Sequence, residues 1–281
     1  MTGFIGGGYM AEALIKGIRA AGKTDIIVSE PLEQRRVYLE QTYGVRTTGS
    51  NREAASRSDV VVIAVKPQII DQVLEDISDA VRQEGTSPTG TSPAGQKQKA
   101  GEAGKLIVSI AAGIRLSYLT GRLGTTNVVR AMPNTPAMAS EGMTVLSLCE
   151  CIPEAGFSRV KDIFMSVGKV IVMPEKYMDA VTALSGSGPA FFALFLEGLI
   201  EGAQAQGLDA QTARQLALQT ALGTIKMFEE GTSTDGLIRM VTSPGGTTRA
   251  GLDVLEGGGF KKLLYDTIEA AARRAAQLGK G

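Results

Sequence analysis

Two runs in this chain dominate what it can fold into: Val60-Val61-Val62-Ile63-Ala64-Val65 and Leu106-Ile107-Val108-Ser109-Ile110. A strand with one wet face alternates apolar and polar residues. These runs do not alternate, so they demand cover on both faces, as parallel strands between helices do. Shorter apolar runs at 2–5, 25–29, 45–47 and 127–131 share the pattern. Amphipathic stretches at 10–21, 31–41, 52–56, 67–82 and 115–123 separate them. Strand and helix in strict alternation predict an α/β fold with a doubly wound parallel sheet and right-handed crossovers.

The character changes past the middle. Residues 143–148, 153–167 and 169–173 read as strand, helix and strand, closing a first domain at 1–174. The remainder, 175–281, reads as an all-α domain with helices at 189–206, 209–229, 234–240, 247–255 and 260–278. The stretch 189–206 is apolar on nearly all sides, with Phe191, Phe192, Phe195, Leu196, Leu199 and Ile200. A helix apolar all round is buried all round, and in a domain of ~100 residues a neighbouring subunit is the expected cover. Asp209 is placed to cap a helix, and Gly257-Gly258-Gly259 to stop one. Residues 84–104 hold five Gly and two Pro but no Val, Ile, Leu, Met or aromatic residue. Such a segment cannot offset its ordering entropy by burial, so a disordered insert is expected there.

Composition removes several functions. Lys+Arg and Asp+Glu both number 29, and aromatics are 5% with no Trp. A broad basic footprint or stacking platform for nucleic acid is therefore not expected. There is no histidine, which excludes Ser-His-Asp and Cys-His nucleophilic chemistry and His-ligated zinc. Cys149 and Cys151, the two cysteines, supply too few thiolates for a zinc sphere. They read as free thiols in a reducing, cytoplasmic setting with no metal. No run reaches the ~18 consecutive apolar residues of a membrane span.

The N-terminus carries G-x-G-x-x-A as Gly6-Gly7-Gly8-Tyr9-Met10-Ala11, directly after a strand and opening a helix. Gly6 allows the tight turn, Gly8 admits a pyrophosphate to the backbone, and Ala11 lets helix pack on strand. The helix start then presents amides and positive dipole to the phosphates. This predicts a Rossmann-type dinucleotide site. Glu30, ending the second strand, is placed to bind a ribose 2′-hydroxyl as in NAD sites, while Arg35 and Arg36 are placed to meet a 2′-phosphate. Both coenzymes fit these residues. Gly17–Thr24 also matches GxxxxGK[ST], but a P-loop must open a helix. This match closes one, with Gly22 as its C-cap. Ser185-Gly186-Ser187-Gly188-Pro189 and Ser243-Pro244-Gly245-Gly246-Thr247-Thr248 read as glycine-rich turns at helix starts. Both are places for a carboxylate.

Five segments in order resemble the pyrroline-5-carboxylate reductase family: GFIGGGYMAEAL from Gly3, Ala64-Val65-Lys66-Pro67, Arg130–Pro136 (RAMPNTP), Asp179–Ala190 (DAVTALSGSGPA) and Val241–Thr248 (VTSPGGTT). The resemblance spans the chain except the 84–104 insert. It implies a Rossmann-type domain followed by an all-α dimerisation domain, and reduction of L-1-pyrroline-5-carboxylate to L-proline by NAD(P)H. NADP(H) is the favoured coenzyme and NAD(H) the alternative. It also implies a homodimer, with decamers as a further assembly. By the same resemblance Ile5, Gly6, Gly7, Gly8, Tyr9, Met10, Ser29, Asn51, Ala64, Val65, Lys66 and Pro67 line the coenzyme, and Ala111, Ala112 and Gly113 flank its nicotinamide. Lys66 acts there through its backbone. Gly246, Thr247 and Thr248 hold the substrate carboxylate, with Glu175 near the substrate. Thr248 is the candidate catalytic hydroxyl, at the ring nitrogen. Two other readings stay open on the residues alone. One is a β-hydroxyacid-dehydrogenase-like oxidoreductase, the other a non-catalytic NAD(P)-sensing module.

Overall fold

A computed structural model describes residues 1–82, 104–148 and 152–279. The expected insert at 84–104 (apart from Gly104) and the Cys149/Cys151 pair lie outside the described residues. Contacts divide the chain into Met1–Gly186 with Ala271–Gly281, and Ser187–Ala270.

The first unit runs β1 (Thr2–Ile5), α1 (Tyr9–Ala20), β2 (Ile26–Ser29), α2 (Glu33–Tyr43), β3 (Arg46–Thr48), α3 (Asn51–Ser56), β4 (Val60–Ile63) and α4 (Ile70–Val81). It continues with β5 (Leu106–Ser109), α5 (Leu116–Leu123), β6 (Val128–Met132), β7 (Gly142–Leu148), α6 (Glu154–Met165), β8 (Gly168–Val172) and α7 (Met178–Val181). The eight strands form one sheet in the order β3-β2-β1-β4-β5-β6-β7-β8. The first six are parallel, with Phe4 beside Val28 on one side and Val62 on the other. The order 3-2-1-4-5-6 is that of dinucleotide-binding folds, and the winding reverses between β1 and β4.

The apolar runs behave as their pattern demands. Val60 and Val62 of β4 join one core, with Phe4, Val28, Leu14 and Phe164. Val61 and Ile63 join the opposite core, with Ile27, Ile107, Leu74 and Leu119. Period-two alternation thus sends neighbours to opposite faces, and both faces are covered by helices. The strands stop short of their runs, however. Ala64, Val65 and Ile110 leave the ladder to build loops at its C-terminal rim.

The sheet is not parallel throughout. β7 is antiparallel to β6, and β8 is parallel to β7. Residues 133–141, which hold a 3-10 turn at Thr135–Ala139, are too few for the dozen or so that a parallel crossover needs. The Gly17–Thr24 match closes a helix, as expected: Gly22 donates to Arg19 O at the end of α1.

The second unit holds α8 (Gly188–Ala205), α9 (Ala210–Glu229), α10 (Thr234–Val241), α11 (Thr247–Gly257) and the first part of α12 (Phe260–Leu278). Asp209 accepts from the amides of Gln211 and Thr212, as a cap should. The Ser185–Pro189 segment opens a helix as expected, with Ser187 as the N-cap of α8 and Pro189 in its first turn. Thr182–Gly186 is a π-helical turn leading into α8, where Thr182 Oγ1 donates back to Met178 O at 2.8 Å. Residues Glu175–Ala205 are long and apolar enough, by length and composition, to cross a membrane, and only 11% of their most apolar window is buried.

Candidate coenzyme and substrate site

The C-terminal ends of β1, β2, β4 and β5 form one rim, tied by Gly6 N to Ser29 O (2.8 Å), Ala64 N to Ile5 O (2.8 Å) and Ile110 N to Ile63 O (3.1 Å). Every residue expected at the coenzyme lies on this rim: Ile5–Met10 after β1, Ser29 ending β2, Asn51 opening α3, Ala64–Pro67 after β4, and Ala111–Gly113 after β5. Ligands of open α/β sheets sit where the winding reverses, which here is between β1 and β4.

Local chemistry fits a pyrophosphate. Gly6 has φ +97°, and a Cβ there would stand 2.7 Å from Ala64 O, so only glycine closes the turn. Gly8 caps α1 without a side-chain hydrogen bond. Among the described residues, nothing beyond its chain neighbours and its own helix lies within 4 Å of where a Gly8 Cβ would be, so packing does not explain that glycine. The first intrahelical bond is Glu12 N to Gly8 O, which leaves the amides of Tyr9, Met10 and Ala11 for an anion. Tyr9 is 76% exposed. Ser29 Oγ donates to Asn51 Oδ1 at 2.6 Å, and Asn51 Nδ2 donates to Asp76 Oδ2 at 2.9 Å. Lys66 is exposed, at the start of the 3-10 turn Pro67–Ile69.

Glu30 is not disposed as the spacing rule expects. It is buried, and its carboxylate accepts from Gly7 N–H (3.0 Å) and Leu32 N–H (3.1 Å). Arg35 turns inward, donating from Nε to Gly7 O at 2.7 Å and pairing with Glu12. Arg36 donates to the carbonyls of Glu30 and Pro31, at the tip of β2.

Glu175 lies beyond β8. Its Oε1 accepts from Arg130 Nη1 (3.0 Å), an arginine buried on β6, and from Leu116 N–H at the start of α5 (2.7 Å). Asn134 links neighbouring parts, accepting from Met143 N–H and donating to Ser185 Oγ. Arg130, Asn134 and Glu12 fall within the family-like segments, but their partners lie outside those segments or in other ones, and no local signal names them. Gly113 stands against the end of α12, where a Cβ would be 3.1 Å from Leu278.

The SPGGTT turn belongs to the second unit. Gly245 has φ +69°, and a Cβ on Gly246 would lie 2.4 Å from Ser243 Oγ. Gly246 N–H closes the turn on Ser243 O. The amides of Thr247 and Thr248, the first two residues of α11, have no helical acceptor. Thr248 is half-buried.

A reversed-winding sheet with a glycine loop at its switch point, followed by an anion-receptive turn in a helical unit, defines a two-part NAD(P)-dependent oxidoreductase. Residues 175–278 match the family model of pyrroline-5-carboxylate reductase dimerisation, and residues 1–86 match that of NADP oxidoreductase, coenzyme F420-dependent. A pyrroline-5-carboxylate reductase of Synechocystis is 42% identical over 99% of this chain and 98% of its own. Among solved structures, the Coxiella burnetii pyrroline-5-carboxylate reductase is 35% identical with TM-score 0.86, covering 100% of this chain and 98% of that one. The Plasmodium falciparum pyrroline carboxylate reductase with NADP bound is 31% identical with TM-score 0.84, covering 99% and 97%. The chain belongs to the pyrroline-5-carboxylate reductase family.

Proposed function

We propose that the chain reduces L-1-pyrroline-5-carboxylate to L-proline with NAD(P)H, the last step of proline biosynthesis. One observation carries this beyond family membership: a chain without histidine holds both a glycine loop under a helix start and a second turn, SPGGTT, whose amides are free for a carboxylate. The substrate is a cyclic imine with one carboxylate. Once its nitrogen is protonated, C5 is electrophilic, and the protein has only to align and bind.

In this reading residues 1–174 hold the coenzyme and 175–281 supply dimerisation and substrate binding. The amides of Tyr9, Met10 and Ala11 receive the pyrophosphate, Ala64–Pro67 and Ala111–Gly113 flank the nicotinamide end, and Ser29 and Asn51 serve the adenosine end. The coenzyme, when bound, supplies the hydride. Thr247 and Thr248 amides hold the substrate carboxylate on the Gly246 turn. The Thr248 hydroxyl meets the ring nitrogen and keeps its proton in place. NADP(H) is favoured over NAD(H) because Glu30 is committed to two backbone amides while Arg36 sits at the tip of β2. The exposed apolar helices pair with a second copy rather than with lipid, and larger assemblies such as decamers build on that dimer. A cytoplasmic location and no nucleic-acid partner complete the proposal.

Initial rates with L-pyrroline-5-carboxylate and each coenzyme test it. Turnover is expected, with a higher kcat/KM for NADPH. Thr248→Ala should lower kcat by ~10²–10⁴ if the hydroxyl does proton work. A folded, coenzyme-binding wild type without turnover would refute the proposal.

A further inference from the structure

Three glycines in a row, Gly6-Gly7-Gly8, have no side chains to fix their conformation, and glycine loses the most backbone freedom on ordering. If the loop ordered only when coenzyme bound, that entropy would be subtracted from affinity. The structure instead holds the central residue through the two peptides that flank it. Gly7 N–H donates to Glu30 Oε2 at 3.0 Å, and Gly7 O accepts from Arg35 Nε at 2.7 Å. Arg35 is itself held: its Nη2 pairs with Glu12 Oε2, and its guanidinium lies 5.0 Å from the Tyr38 ring centre. Glu12 Oε1 accepts from the hydroxyls of Tyr38 (2.9 Å) and Tyr43 (2.8 Å). The Glu12 and Arg35 side chains are 14% and 23% exposed, so this pair is less screened than a surface one.

In a trans peptide the N–H points opposite to the C=O, and no peptide here is cis. With Gly7 C=O drawn to Arg35, the Gly8 N–H faces away from α2, toward the open side of the loop. We infer that Glu12, Arg35 and Glu30 clamp Gly7 through its two flanking peptides and so pre-order the coenzyme loop, acting as positioning residues rather than as coenzyme ligands. The inference rests on the coenzyme reading above. It reassigns Glu30 and Arg35 from the 2′ position of the ribose to the loop itself. A clamp on the pyrophosphate loop serves both coenzymes equally, whereas a residue at the 2′ position separates them.

The test is direct titration of NADPH and NADH by their fluorescence, with steady-state rates alongside. Arg35→Met should weaken both coenzymes by the same factor, about tenfold, the scale of one charge-assisted hydrogen bond. Arg35→Lys should recover part of the loss. The KM for the imine and the kcat at saturating coenzyme should hold within about threefold, since uniform binding is what is removed. Arg36→Met should instead weaken NADPH selectively. Loss of NADPH alone in Arg35→Met would overturn the clamp and place Arg35 at the 2′-phosphate. Unchanged binding of both would overturn it too. If Arg35→Met does not fold by circular dichroism, Glu12→Gln decides, with a parallel two- to fivefold loss expected by the same argument. Binding needs no turnover, so a clamp that fails while wild type still reduces the imine is distinguishable from failure of the reductase reading. Wild type that binds neither coenzyme would overturn both.

Discussion

Glu12 is a carboxylate under opposing influences. Burial raises its pKa, but hydrogen bonds from Arg35, Tyr43 and Tyr38 and the charge of Arg35 outweigh that and hold it below its ordinary value. Tyr43 is pushed up, by burial first and by Glu12 second, so it remains a donor throughout the working range. A carboxylate depressed by folding stabilises the native state above its unfolded pKa. That contribution is lost as pH falls through the folded one. Glu12→Gln should therefore be less stable than wild type near neutrality. The gap should close as pH drops below the ordinary glutamate value of about 4.3. Urea melts at neutral and acid pH measure this, and a gap independent of pH would show that the charge contributes nothing. The fingerprint glycines were legible because their spacing between a strand and a helix is a pattern in itself. The disposition of Glu30 was not. Spacing alone marks it as a ribose ligand, yet its acceptor role is decided by Gly7, 23 residues earlier. Arg35 and Arg36 were likewise interchangeable in sequence and are separated only by which carbonyls they reach.

At the scale of elements, β4 and β5 show why unbroken apolar runs are informative. Ile107 is fully buried between Val61 and Val128 in the sheet. Ile107→Ala should destabilise the chain by roughly 2–5 kcal/mol, as a core cavity does, seen as a lower urea midpoint. A shift under about 0.5 kcal/mol, the scale of a surface change, would contradict the two-faced core. The alternation of strands and helices was readable because burial on two faces leaves a plain mark in composition. Strand direction was not, since the reversal at β7 follows from the short 133–141 link rather than from any residue in the strand. The π-helical turn at Thr182–Gly186 was not legible either, since Thr182, Ala183 and Leu184 carry no local signal for it.

At the scale of the whole molecule, the all-round apolar pattern of 189–206 predicts burial. Within one chain only Gly188 of α8 is buried, and Phe192 and Leu194 are 65% and 69% exposed. The same stretch falls within the match to the family's dimerisation model. The sequence thus carried a statement about the assembly that a single chain cannot satisfy. Phe192→Asp with Leu194→Asp should reduce the sedimenting mass, lower the melting temperature and remove its dependence on protein concentration. Unchanged mass would mean that this face does not pair copies. The end of α12 extends the point to the chain's last turn. Its final residues cluster with the first unit, and Leu278 backs Gly113 on the coenzyme rim. Trimming those residues as a dispensable tail would loosen a loop more than 160 positions upstream, and, on the proposal that Gly113 flanks the nicotinamide, an enzymologist would meet the damage as poor hydride transfer, with nothing at the cut to explain it.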